Sequence, residues 1–321
     1  MTMPPRRTHR LRSLVLAVGL AASIPLVPAG LTAQDSPAAV STEGPAVTLL
    51  EPGAEPRAPL RYRLDAMTPG TMMIRMDTDM SISNPMMGQQ QQTMPTMQMG
   101  TELQQVTPMD GGRLRMDFRM AGTEVLPREG ADPAMIPILQ SAMSQMGNPA
   151  GYSVIDDRGR VLDGGFSTEG LDPALQQQLS SLQDSISQMA TPLPLEAVGV
   201  GASWRVDQSI QSNGLQIAQQ AVYTLEDRTE TAFRVRIRIT QSATPQALQD
   251  PSLPPGVSMH LDSFSGSGEG SATIPFASLI PTSTMRVSST MAMSADMGDG
   301  NRVPMMNMEM TISMAMAPRG N

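Results

Sequence analysis

The sequence predicts a mainly β (α+β) architecture: a strongly curved antiparallel sheet of about ten strands with two amphipathic helices across its open face. Three observations carry this. Long stretches alternate apolar and polar residues with a period of two, most clearly between Met285 and Met316. The period becomes helical in only two places, each opened by an Asp-Pro pair, Asp132-Pro133 and Asp172-Pro173. Gly, Pro and Asn recur between the alternating runs at the spacing that turns require.

The chain begins with a basic leader, MTMPPRRTHRLR, and a short apolar run broken by Pro25 and Pro28. Leu31-Thr32-Ala33 forms a cleavage site before Gln34, so residues 1–33 read as a secretory signal peptide. The uninterrupted apolar run falls short of the roughly 20 residues of a spanning helix. Residues 34–59, rich in Pro, Ala and Glu, read as a flexible lead-in. A single domain is expected over 60–321, with a helical insertion at 131–190.

Within that domain, Leu60, Tyr62, Leu64 and Ala66 alternate with Arg61, Arg63 and Asp65, and a turn at Thr68-Pro69-Gly70 leads to Met72, Ile74, Met76, Met80 and Ile82. These two runs are expected to pair as a hairpin. Asn84 to Gly100 carries a glutamine run between Met and Pro residues and reads as a mobile hairpin tip. Thr101–Val106 and Leu114–Met120 are the next strands; Leu114, Met116, Phe118 and Met120 face inward and Arg113, Arg115, Asp117 and Arg119 outward.

The first helix places Met135, Ile136, Leu139, Met143 and Met146 on one face and stops at Gly147. A hairpin, Tyr152–Asp156 with Arg160–Asp163, separates it from the second, whose stripe is Leu175, Leu179, Leu182, Ile186 and Met189. Strands resume at Trp204–Gln211, Leu215–Leu225 and Phe233–Ile239, followed by a Pro-rich connection over 241–257 and a long strand from Ser258 to Thr273. The closing hairpin puts Met285, Val287, Met291 and Met293 on the same face as Met306, Met308, Met310, Ile312, Met314 and Met316.

Composition narrows the function. With 30 Met and no Cys, there is neither a disulfide framework nor a thiolate metal site. Loss of Arg6, Arg7, Arg10 and Arg12 with the leader takes the net charge from −8 to −12. An acidic exported chain is a poor partner for nucleic acid or anionic lipid. The row Arg234, Arg236 and Arg238 therefore reads as a solvated outer face. His260 is the only imidazole after the leader; Ser258, Asp262 and Ser263 flank it, but no nucleophile elbow or oxyanion motif accompanies them, so an enzyme is not expected.

The layout resembles the half-barrel of the LolA/LolB-like superfamily of periplasmic lipoprotein carriers. The resemblance rests on Ala58-Pro59-Leu60-Arg61-Tyr62-Arg63-Leu64, on the Val154 to Val161 hairpin, and on Pro194-Leu195-Glu196-Ala197-Val198-Gly199-Val200-Gly201-Ala202-Ser203-Trp204. The last is similar to a Pro…Val-Gly-x-x-Trp element of a secreted bacterial domain family with no assigned function. What the resemblance implies is an antiparallel half-barrel curled round an apolar cavity that helices partly close.

The expected function is that of an exported, periplasmic or secreted, non-enzymatic protein binding a hydrophobic small molecule or lipid. Met is flexible and polarizable, so a sheet face built of it can repack around more than one shape. The expected lining is Met72, Met76, Met80, Met116, Phe118, Met120, Met291, Met293, Met306, Met308, Met310 and Met314, with the helices as a lid. No cofactor, catalytic residue or bound metal is assigned; an envelope protein is the expected macromolecular partner. Two readings compete. In one, thioethers of the Met86–Met99 loop and the Met305–Met316 run coordinate copper(I). In the other, Met stands in for Leu and Val in an ordinary packed core of a structural cell-envelope protein.

Overall fold

The computed structural model describes residues 45–85, 88–145, 147–167, 192–212, 215–248, 258–296 and 301–319. The leader and the second helical stripe, Leu175 to Met189, lie outside the described residues. Sixteen strands lie among the described residues: β1 (Ala46–Glu51), β2 (Ala58–Pro59), β3 (Gly70–Asn84), β4 (Gly88–Thr93), β5 (Thr96–Met109), β6 (Arg113–Leu126), β7 (Ala150–Asp156) and β8 (Val161–Phe166) in the first half. The second half contributes β9 (Ala197–Val198), β10 (Ser203–Ser212), β11 (Leu215–Arg228), β12 (Ala232–Ala243), β13 (Gln246–Leu248), β14 (Ser258–Pro275), β15 (Thr282–Asp296) and β16 (Arg302–Pro318). One α-helix, α1 (Met135–Gln145), lies among the described residues.

Fourteen strands form one antiparallel sheet in the order β1-β10-β11-β12-β14-β15-β16-β3-β5-β6-β7-β8, with β13 on β14 and β4 on β3; β2 and β9 pair separately. This corrects the expected half-barrel of about ten strands with two helices across it. The difference is one of strand pairing. Leu60–Ala66 does not pair with β3; it runs as an irregular segment ending in a 3-10 turn, Leu64–Ala66. The final strand β16 takes that place on β3, from Asn307↔Ser83 to Pro318↔Met72. The methionine hairpin thus lies at the middle of the sheet.

Two stretches read as irregular are also strands. Ala46–Glu51, inside the expected lead-in, pairs with β10 from Ala46↔Asp207 to Glu51↔Ser203. The glutamine run forms β4 on the far end of β3, from Asp79↔Thr93 to Asn84↔Gly88. Backbone pairing sustains both where the apolar signal is weak.

The apolar faces of the two wings meet. Leu114 and Ile155 of β6 and β7 share one cluster with Trp204, Val206, Tyr223, Leu225, Phe233 and Val235 of β10 to β12. The sheet is therefore curled on itself, with β1 and β8 as its edges. Gly270 permits part of this curl: a Cβ there would lie 2.2 Å from Thr284 O on β15, so only glycine fits.

Segments 52–67 and 192–202 fill the end where β3 begins and β16 finishes. Tyr62 N donates to Asp157 O (2.8 Å), Arg63 N to Phe276 O (2.7 Å), and Leu193 N to Arg158 O (2.9 Å). Guanidinium groups fasten them: Arg61 to Pro194 O and Leu195 O, Arg158 to Leu193 O, and Arg228 to Ala58 O and Pro59 O. Burial, with the nearby charge of Arg160, lowers the pKa of Arg158. Leu60, Leu193, Val198 and Ala202 are fully buried there. This end is the plug.

Candidate binding interior

The interior divides into two clusters of different chemistry. At the plug end the 19 buried residues include Trp204, Tyr223, Phe233, Phe276 and seven Leu or Val residues, but only one methionine, Met67. At the opposite end nine of the 15 buried residues are methionine: Met76, Met80, Met97, Met99, Met143, Met291, Met293, Met308 and Met310. Aromatic and branched side chains hold few rotamers and fix a shape; Met has three soft torsions and does not. One cluster is therefore built of shape-fixing side chains, the other largely of side chains able to repack.

Cross-strand pairing builds the methionine half. Met291 faces Met308, Met293 faces Met306, and Met285 faces Met314, which on its other side faces Met76. Met76 in turn meets Met97, and Ile74 meets Met99. Met310 lies between Ser289 and Met80. α1 closes over this end of β6: Gln140 Oε1 accepts Val125 N (2.9 Å), its Nε2 donates to Thr123 O (3.0 Å), and Met143 enters the cluster.

Of the 12 residues expected to line a cavity, Met76, Met80, Met291, Met293, Met308 and Met310 come together buried in this cluster, and Met120 and Met306 pack against it half-buried. Met116 packs on the plug-end cluster instead. Phe118 stands edge-on to Phe166 at 5.7 Å, while Met72 and Met314 are half-buried along β3 and β16. Met97, Met99 and Met143 join the cluster beyond the expected lining. The first two alternate about Gln98 where the glutamine-rich tip passes into the next strand, and the third lies on the expected helix face.

A surface cavity of about 540 Å³ lies at the plug end, bordered by Pro69, Gly70, Pro275, Ser278, Ile280 and Pro318 among others. None of the 12 expected lining residues borders it. His260 Nε2 lies 3.1 Å from Ser258 Oγ, but Asp262 accepts Ser294 Oγ (2.7 Å) from the adjacent strand. That carboxylate is engaged across the sheet and does not complete a Ser-His-Asp relay. Among the described residues no group of three or more His, Asp or Glu side chains is placed to hold a metal.

The outer face of the central strands is largely polar, with Val303 and Met305 of β16 the exposed exceptions among its large apolar side chains. Arg234, Arg236 and Arg238 are exposed, and the first two pair with Glu226. Ser265 meets Thr290 and Ser288 meets Thr311 at 3.0 Å each. A membrane-spanning barrel carries its apolar band outward and its polar groups inward; these strands do the reverse.

No family model matches the chain, and no curated protein matches it. Among solved structures that match is the outer membrane protease OmpT from Escherichia coli, at 7% identity over 80% of this chain and 98% of that one, with a TM-score of 0.22. At that score the likeness carries no argument about fold or function.

Proposed function

We propose that this chain is an exported, non-enzymatic binding protein that takes a hydrophobic small molecule or lipid into its methionine half. The observation that supports this best is the division of the interior: one methionine among 19 buried residues at the plug end against nine among 15 at the other. A core needed only for stability gains nothing from segregating its softest side chain. An apolar ligand that displaces thioether chains meets surfaces that reshape at low cost, whereas the Trp204 end holds the fold in register. The largely polar outer face supports transport of such a ligand through water.

The test is extraction. The full chain, secreted from a bacterial host and purified without detergent, is extracted with chloroform–methanol and separately titrated with dodecane. A co-extracted apolar compound, or saturable dodecane uptake by the stripped protein, is the expected result. Protein that carries nothing and takes up nothing would overturn the proposal.

A further inference from the structure

Between the two apolar clusters the inner face carries a row of polar residues. Direct cross-strand neighbours run Gln208↔Gln219, Gln219↔Gln241, Gln241↔Gly266, Gly266↔Ser289, Ser289↔Met310 and Met310↔Met80. The row below it reads Val206, Ala221, Ile239, Gly268, Val287, Ile312 and Thr78. Above it, Ile210 faces Ile217 and Phe264 faces Met291. Of the three glutamines in register, Gln208 and Gln219 are half-buried and Gln241 is buried, where an unsatisfied amide is costly.

Gln241 is 8% exposed, and its Nε2 donates to Gln219 Oε1 at 2.7 Å. Gln241 Oε1 is buried and has no partner. It lies over Gly266, where a Cβ would come within 2.7 Å of it and 3.5 Å of Ser289 Cβ. The oxygen takes the space that a Cβ at residue 266 would occupy, one row below Phe264 and Met291. Its neighbours along the row, Gln219, Gly266 and Ser289, are uncharged, so a charged group placed there would lack an adjacent counter-charge. A neutral hydrogen-bond donor suits it.

We propose that Gln241, with Gly266 and Ser289, forms the polar subsite of the ligand cavity and accepts a hydrogen bond from the hydroxyl or amide N–H of an uncharged amphiphile whose chain lies among the methionines. This rests on the proposed function and narrows its ligand to neutral lipids with a donor head group. Carboxylate head groups are disfavoured, because an orphan carbonyl oxygen repels them.

The experiment titrates the full chain with dodecanol, its methyl ether and dodecane, three probes of similar length of which only the first donates. Wild-type protein should bind dodecanol about 5- to 10-fold more tightly than the ether, the worth of one net hydrogen bond. Gln241→Met should abolish that ratio. Equal binding of all three by wild type would mean that the orphan oxygen meets only water, overturning the subsite while the apolar cavity stands. A ratio that survives Gln241→Met would also overturn it. Binding of none would bring down the cavity reading itself. The wild-type ratio decides even where the variant fails to fold.

Discussion

Replacing Met308 and Met310 by leucine separates a repackable interior from a close-fitted one. Both side chains are buried, at 3% and 4% exposure, and both sit mid-sheet: Met308 between Met291 and Ile82, Met310 between Ser289 and Met80. Leucine nearly preserves volume and removes torsional freedom. Such swaps cost less than about 1.5 kcal/mol each, so the double variant should lose no more than about 3 kcal/mol. The two positions are neighbours on one strand face, so their costs are coupled and the double variant is measured beside both single ones. Met308→Ala, by contrast, should cost about 2–5 kcal/mol alone. Urea unfolding reports this through Trp204, the only tryptophan and fully buried. The same variants are titrated with alkanes of increasing length, where the leucine pair should narrow the range of lengths accepted. A loss well above 3 kcal/mol, or an unchanged length profile, would refute the reasoning.

Three further outcomes follow from the plug. Burial, with Tyr223 adding to it, holds the Tyr62 phenol above its ordinary 10.0, so the unfolded chain releases that proton first. Tyr62 thus costs no stability below pH 10, and above it the fold should lose up to about 1.4 kcal/mol per pH unit. Tyr62→Phe should flatten that slope in urea titrations between pH 9 and 11 (range set by the ordinary tyrosine value). Arg228 binds two successive carbonyls, Ala58 O at 2.9 Å and Pro59 O at 3.1 Å, and lies over the Phe276 ring. Arg228→Ala should cost about 1–3 kcal/mol, and Arg228→Lys should recover only part, because an ammonium cannot span both oxygens; full recovery by lysine would contradict the bidentate role. Gly199→Ala would place a Cβ 1.7 Å from Ala54 O, so hydrogen exchange of the 192–202 segment should accelerate and stability fall by about 3 kcal/mol or more.

How much of this was legible beforehand depended on whether a residue's neighbours were local. In β15 and β16 each side chain's face follows from a period of two, and burial matches it: Met308, Met310 and Ile312 in, Asn307 and Glu309 out. α1 was equally clear, because its cap and stripe lie within 15 residues of chain. Strand partners were not. Leu60 and Tyr62 are buried as their alternation implies, yet Tyr62 N and Arg63 N bond singly to the distant Asp157 O and Phe276 O instead of forming a ladder. The β4 glutamines carry no apolar signal, and only the exposed end of β3 makes them a strand. Gln219 sits in phase with Ile217 and Ala221, so its inward direction was readable, but the row it forms with Gln208 and Gln241 required the register. The plug could not be foreseen either, since 52–67 and 192–202 meet only when the sheet curls.

The most direct test is a methyl NMR titration of the full chain, with methionine labelled at its Cε carbon and dodecane as ligand. The account predicts shifts at Met76, Met80, Met291, Met293, Met308 and Met310, with Met67 in the plug-end cluster unmoved. Shifts confined to exposed methyls such as Met109 and Met305, or none at ligand saturation, would contradict it.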